Sequence, residues 1–183
     1  GSAEILQFVI GGLKSGAIYA LVALGFTVVY ASTGAINFAQ GEFFMLGGMF
    51  AAYFSALGLP VLLASLIAIV VTTVIGVAFE MAAIRPIRGG DPLKIIMVTI
   101  GGSVMMRQFA LHAFGPDELP VPAFTAGDSV KVLGAAIERQ TLWLWAAVTV
   151  TVVLLAWVYG GTKFGRAMRA TALRRDAARL VGL

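Results

Sequence analysis

A chain of 183 residues with 60% apolar and 12% charged side chains, and a mean hydropathy of +0.95, cannot cover its own surface with polar groups in water; soluble domains carry about a quarter charged residues. The absence of cysteine excludes disulfides and thiolate chemistry, and the single His112 argues against a histidine-based metal site. The formal charge of +4 matters through where it is placed, taken up below.

Spanning a bilayer takes about 20 mostly apolar residues in a helix, because backbone groups in hydrocarbon must bond within their own segment. Five stretches meet this: Ile5 to Tyr30, Ala35 to Leu57, Val61 to Ile84, Lys94 to Phe114 and Leu142 to Tyr159. The first is longer than a signal-peptide core and no cleavage site follows it, so it reads as retained; the leading Gly1-Ser2 reads as an expression scar. It carries Gly11, Gly12, Gly16 and Gly25, which let helices approach closely, either as static packing or as a moving interface. Lys14 either snorkels to the outer boundary or marks first turns that lie in the interface.

The second stretch opens on Asn37, Gln40 and Glu42 between Gly34 and Gly41. Polar side chains at membrane depth need partners or a wet cavity. Two readings stand: a broken segment lining a path or gate, and an interfacial helix start with Glu42 near a favourable helix N-terminus. In the third, Pro86 stops the helix at Arg85, and Glu80 has Arg85 and Arg88 within reach as a structural ion pair or part of a gate. The fourth holds a polar stripe of Thr99, Gly101, Gly102, Ser103, Arg107 and Gln108. Arg107 must face other helices or water, lining a solvated path or closing an internal ion pair.

The connectors sort by charge. Arg85, Arg88, Lys94, Lys163, Arg166, Arg169, Arg174, Arg175 and Arg179 fall on one side of an odd number of spans; Lys131 and Arg139 fall on the other, beside Asp117, Glu118, Asp128 and Glu138. The positive-inside rule puts the tail in the cytoplasm and the N-terminus outside. The outer connector, with Pro116, Pro120, Pro122 and an alternating Val130–Leu133, suits a short β-hairpin or an irregular cap, and is either a contact for an external partner or a solvated linker. In the tail, Ala170, Leu173, Ala177 and Leu180 share one helix face, which composition alone makes an interfacial amphipathic helix.

The order of residues in that tail adds a resemblance. Asp176-Ala177-Ala178, followed by Gly182, resembles the Glu-Ala-Ala-x-x-x-Gly loop of ABC-importer permeases, with Asp in place of Glu. Gly16-Ala17-Ile18-Tyr19-Ala20-Leu21, Ile36 to Glu42, Glu80 with Arg85-Pro86-x-Arg88, and Gly165-Arg166-Ala167-x-Arg169-Ala170 look like the permeases of the leucine/isoleucine/valine system, in the expected order. The chain departs at Gln40, where many members have His, so no pH-switch role carries over. Family permeases continue through further spans, so the resemblance covers an N-terminal portion.

The resemblance implies an all-α polytopic transmembrane bundle of about five spans, one permease domain over residues 1–183 with a cytoplasmic coupling segment over 161–183. It implies a bacterial-type inner membrane, a second related permease, two ABC ATPase subunits and an extracytoplasmic solute-binding protein, besides membrane lipid; no cofactor and no nucleic acid are expected. The substrate path would rest on Asn37, Gln40, Glu42, Thr99 and Gln108, and ATPase coupling on Arg166, Arg169, Ala170, Leu173, Asp176, Ala177, Ala178, Leu180 and Gly182. No Gly-x-x-x-x-Gly-Lys-Ser/Thr loop is present, so the chain is expected to be a non-catalytic permease subunit rather than the ATPase. Alternatives are a sister permease for urea, short amides or other small organic solutes, and a passive channel or lipid-interacting module. An intramembrane enzyme would need a nucleophile–base pair or a metal set, and neither is evident.

Overall fold

The computed structural model describes residues 1–173 and Leu180. It is all-α apart from one small hairpin: α1 (Ser2–Thr33), α2 (Gln40–Ala56), α3 (Val61–Phe79), α4 (Pro92–Phe114), β1 (Val130–Val132), β2 (Ala135–Ile137), α5 (Arg139–Gly161) and α6 (Lys163–Leu173). Among the described residues, four helices are long and apolar enough to cross a membrane: α1, α3 with its continuation to Ile87, α4 and α5. The helical part of the second predicted stretch is shorter. Residues 35–39 are irregular with a turn at 38–39, and α2 has 17 residues, at the lower limit for a span.

Local chemistry explains most boundaries. Gly34 closes α1 in the left-handed region (φ 63°), its N–H bonded to the Tyr30 carbonyl at 2.7 Å. Asp91 caps α4 by accepting the Leu93 N–H at 3.0 Å, with Pro92 at the first helical position where its missing N–H costs nothing. Ahead of Pro86 the α-pattern of α3 gives way to a π turn over Glu80–Ile84 and a 3-10 turn over Arg85–Ile87.

The chain forms two compact units. One comprises residues 35–124. In it α2 and α3 form a helical hairpin through a short connection, packed through small residues: Ala52, Ala64 and Ala68 are buried, and a Cβ on Gly47 would touch Thr72 Oγ1 at 3.7 Å. Between α2 and α4, Ala39 and Leu46 meet Met106 and Ala110 in a buried cluster, surrounded by Phe43, Phe50, Phe79 and Phe114 among others.

The other unit joins residues 1–34 to residues 125–183. Its hairpin pairs Val132 with Ala135 across a two-residue loop, Leu133 and Gly134, both at positive φ (50° and 87°). The alternation of hydrogen bonds turns the N–H and C=O of Ala136 away from β1. The Gln7 side chain of α1 takes both: its amide donates to the Ala136 carbonyl (3.2 Å) and its oxygen accepts the Ala136 N–H (3.0 Å). A second tie follows, Lys14 Nζ donating to Glu138 Oε2 at 2.7 Å. From Lys14 to Thr33, α1 rises roughly 30 Å, enough for one hydrocarbon thickness, and Lys14 lies beside the start of α5.

The Lys14 hydrogen bond, with its charge second, holds the Glu138 carboxyl below the usual carboxylate range. A depressed carboxylate stabilises the fold above its unfolded-state value and loses that contribution as pH falls through the folded one. Acidification below about pH 4.5 should therefore loosen the hairpin from α1 in the native chain. The pair is exposed, so the effect is under about 1 kcal/mol. Hydrogen exchange at the Ala136 amide should rise at acid pH relative to α4 amides, and Lys14→Met should remove that pH dependence.

Candidate functional site

α2 begins level with the middle of α4. Phe50 and Tyr53, late in α2, pack on Phe114 at the end of α4, with ring centroids 5.5 and 5.8 Å apart. One end of the pair is thereby aligned, and the two helices run parallel. At the other end Glu42, in the first turn of α2, meets Ser103 and Arg107, in the middle of α4's 23 residues. The irregular backbone of residues 35–39 leads into that level. Non-helical backbone at membrane depth is tolerated only where it is buried in protein or lines a wet cavity.

The polar groups there are organised. Asn37 is buried and its Oδ1 accepts the Ala39 N–H at 2.9 Å, an Asx turn that launches α2. Ala39 is fully buried against Met106 and Ala110 on α4. Glu42 Oε1 accepts from Ser103 Oγ and from Arg107 Nη2, both at 2.5 Å. The Glu42 side chain is 13% exposed and that of Arg107 62%. A carboxylate in a helix's first turn also meets the positive end of its dipole.

The predicted path residues thus separate. Asn37, Gln40 and Glu42 lie together on the turn and first residues of α2. Thr99 is fully buried, its hydroxyl donating to the Ile96 carbonyl at 2.9 Å. Gln108 is exposed nine residues on, two and a half turns away on the opposite face of α4. Ser103 and Arg107 are the α4 residues brought to Glu42, and Ser103 was missing from the predicted path; its spacing of four from Arg107 was the available signal.

The ion pair expected around Glu80 forms with Arg88, Nη2 to Oε1 at 2.6 Å; Arg85 instead opens the 3-10 turn, its carbonyl accepting the Arg88 N–H. In the tail, Arg166, Arg169, Ala170 and Leu173 of α6 are exposed, as is Leu180. Asp176, Ala177, Ala178 and Gly182 lie outside the described residues. The joint between α5 and α6 is tight. Thr162 Oγ1 donates to the Val158 carbonyl (2.6 Å) and accepts the Gly165 N–H (3.0 Å), so one hydroxyl ends α5 and caps α6.

Ionisable groups within an apolar helix long enough to span a bilayer are costly there and mark a candidate functional site. The family description "branched-chain amino acid transport system / permease component" matches residues 8–183, and the chain belongs to that family of multi-pass membrane proteins. It is similar to the high-affinity branched-chain amino acid transport system permease protein BraD of Pseudomonas aeruginosa, 30% identical over 97% of this chain and 62% of that protein. The permease proteins LivH of Salmonella typhimurium and of Escherichia coli are each 29% identical over the same shares. The chain therefore spans 62% of the length of these relatives. No solved structure matches it.

Proposed function

We propose that this chain is a permease subunit of an ATP-driven importer that moves branched-chain amino acids across a bacterial-type inner membrane. The observation that supports the reading is the start of α2 level with the middle of α4, an apolar helix long enough to span, with Asn37, Gln40 and Glu42 at that start. The relatives' names supply the substrate class. In this reading the N-terminus and hairpin face outward and α6 faces the cytoplasm, in keeping with the basic residues at Arg85, Arg88 and along the tail. A second related permease completes the path, an external binding protein delivers substrate, and two ATPase subunits supply energy; the chain itself catalyses nothing. The tail from Arg166 to Gly182 docks on the ATPase, and the exposed Ala170, Leu173 and Leu180 give it an apolar surface to bury.

Copurification from membranes tests this. Leu173→Asp combined with Leu180→Asp should cut the ATPase recovered with the protein by about tenfold or more, since each buried leucine is worth about 1.5–3 kcal/mol at an interface. Arg166→Gln with Arg169→Gln should reduce it much less. The reverse pattern, with recovery following the arginines alone, would indicate a tail that binds anionic lipid instead.

A further inference from the structure

The Glu42–Ser103–Arg107 cluster does more than keep two charges company. An ion pair serving only to hold α2 against α4 would be expected to close on itself. Here the Glu42 side chain is largely enclosed, while the Arg107 side chain is 62% exposed and commits one terminal nitrogen to Glu42. Both donors fall on Oε1, and among the described residues none falls on Oε2. The cluster sits at the first turn of α2, just after the non-helical residues 34–39, where a helix N-terminus carries a partial positive charge.

We propose that this cluster is a binding site for the charged backbone of an amino-acid zwitterion, with Arg107 taking the α-carboxylate and Glu42 the α-ammonium. The assignment rests on the permease reading above and names the residues that would execute it. A zwitterion at membrane depth must exchange the hydration of two opposite charges for protein partners. A protein Glu–Arg pair offers that exchange with no change in net charge: one internal ion pair opens and two form with the ligand. When the ligand leaves, the pair closes, so neither side chain is stranded as an unpaired charge, the costly state for a buried pair. Ser103 holds the carboxylate in place throughout by donating to Oε1. Urea and short amides carry no charges to exchange, so the site discriminates against them; the aliphatic part of the ligand is read elsewhere.

The test uses the complete importer, purified with its partner subunits and binding protein, in liposomes. Uptake of labelled leucine and of labelled acetamide is measured for the native protein and for the double variant Glu42→Gln/Arg107→Gln. The variant keeps side-chain hydrogen bonding between α2 and α4 and removes both charges. Leucine uptake is expected to fall about 30-fold or more, the loss of charge-assisted hydrogen bonds of about 2 kcal/mol or more, with recovery of the ATPase subunits and thermal unfolding near native. Native leucine uptake by the variant would overturn the site and leave the permease reading intact. A native importer that moves acetamide and no amino acid would overturn both. Should the double variant fail to assemble, Glu42→Asp, which keeps the charge and shortens its reach, is expected to raise the KM for leucine with assembly retained; an unchanged KM would again overturn the site.

Discussion

Replacing Gly165 by alanine is expected to displace α6 from the end of α5. A Cβ built at Gly165 would lie 2.0 Å from the Val158 carbonyl oxygen and 2.6 Å from the Tyr159 Cα. Both are backbone atoms of α5, so no rotamer change relieves the overlap. The joint must open, and the Thr162 hydroxyl cannot keep both its bond to Val158 and its bond from Gly165. Overpacking of this kind costs about 1–3 kcal/mol, and contact with backbone belongs at the upper end. The native chain has no cysteine, so spin labels can be placed on Val153→Cys in α5 and Arg169→Cys in α6 without background. Their distance distribution should lengthen and broaden in the Gly165→Ala protein. An unchanged distribution would show that the joint is softer than its geometry implies. Thr162→Val should have a smaller effect, about 1 kcal/mol, the usual worth of a lost cap.

Gly102→Ala is expected to have a comparable effect on the other unit. The added methyl would sit 2.4 Å from the Phe79 ring. Phe79 cannot simply swing aside, because its ring packs edge-on against Phe43 (centroids 5.9 Å apart) within the aromatic surround of the buried cluster. Thermal unfolding in detergent should show a loss of about 1–3 kcal/mol. The diagnostic is a double-mutant cycle. Phe79→Leu shortens the ring's reach, so combining it with Gly102→Ala should cost less than the sum of the two, by about 0.5–3 kcal/mol. Strict additivity would mean that the methyl is accommodated elsewhere.

How far such positions were legible in the sequence depends on whether the causes were local. The spans of α1, α3, α4 and α5 follow from hydropathy, since a bilayer imposes length and apolarity on each segment separately. The start of α2 did not follow. Composition allowed a broken segment or an interfacial helix start, and the residue at which α2 begins turns on Gly34 in the left-handed region and the Asn37 side chain bonding the Ala39 amide. A hairpin was legible from the alternation at Val130–Leu133, although its turn uses Leu133 at positive φ, a residue that turn statistics disfavour. Partners distant in sequence were not legible. Lys14 was open to two readings that involved only lipid and water, and its anion stands 124 residues away at Glu138. Gln7 attracted no reading, since the backbone groups it satisfies belong to a strand residue 129 positions on. In α4 the polar stripe was visible, but a list of polar residues does not separate faces: Thr99 is buried, Gln108 is exposed on the far side, and Ser103 and Arg107 are the pair that meets Glu42.

The discontinuous unit, residues 1–34 with residues 125–183, has a consequence for the order in which the protein is made. α1 is made before its partners: the hairpin and the start of α5 that engage Gln7 and Lys14 follow only after the ninety residues from Ala35 to Phe124. At ~5–20 residues per second, translation leaves α1 waiting roughly 5–20 s. The intervening unit is contiguous and can complete its own core in that interval. Gln7 and Lys14 therefore wait for their partners until the chain reaches the hairpin and Glu138; ribosome-stalled intermediates ending before Thr125 should leave both side chains without them.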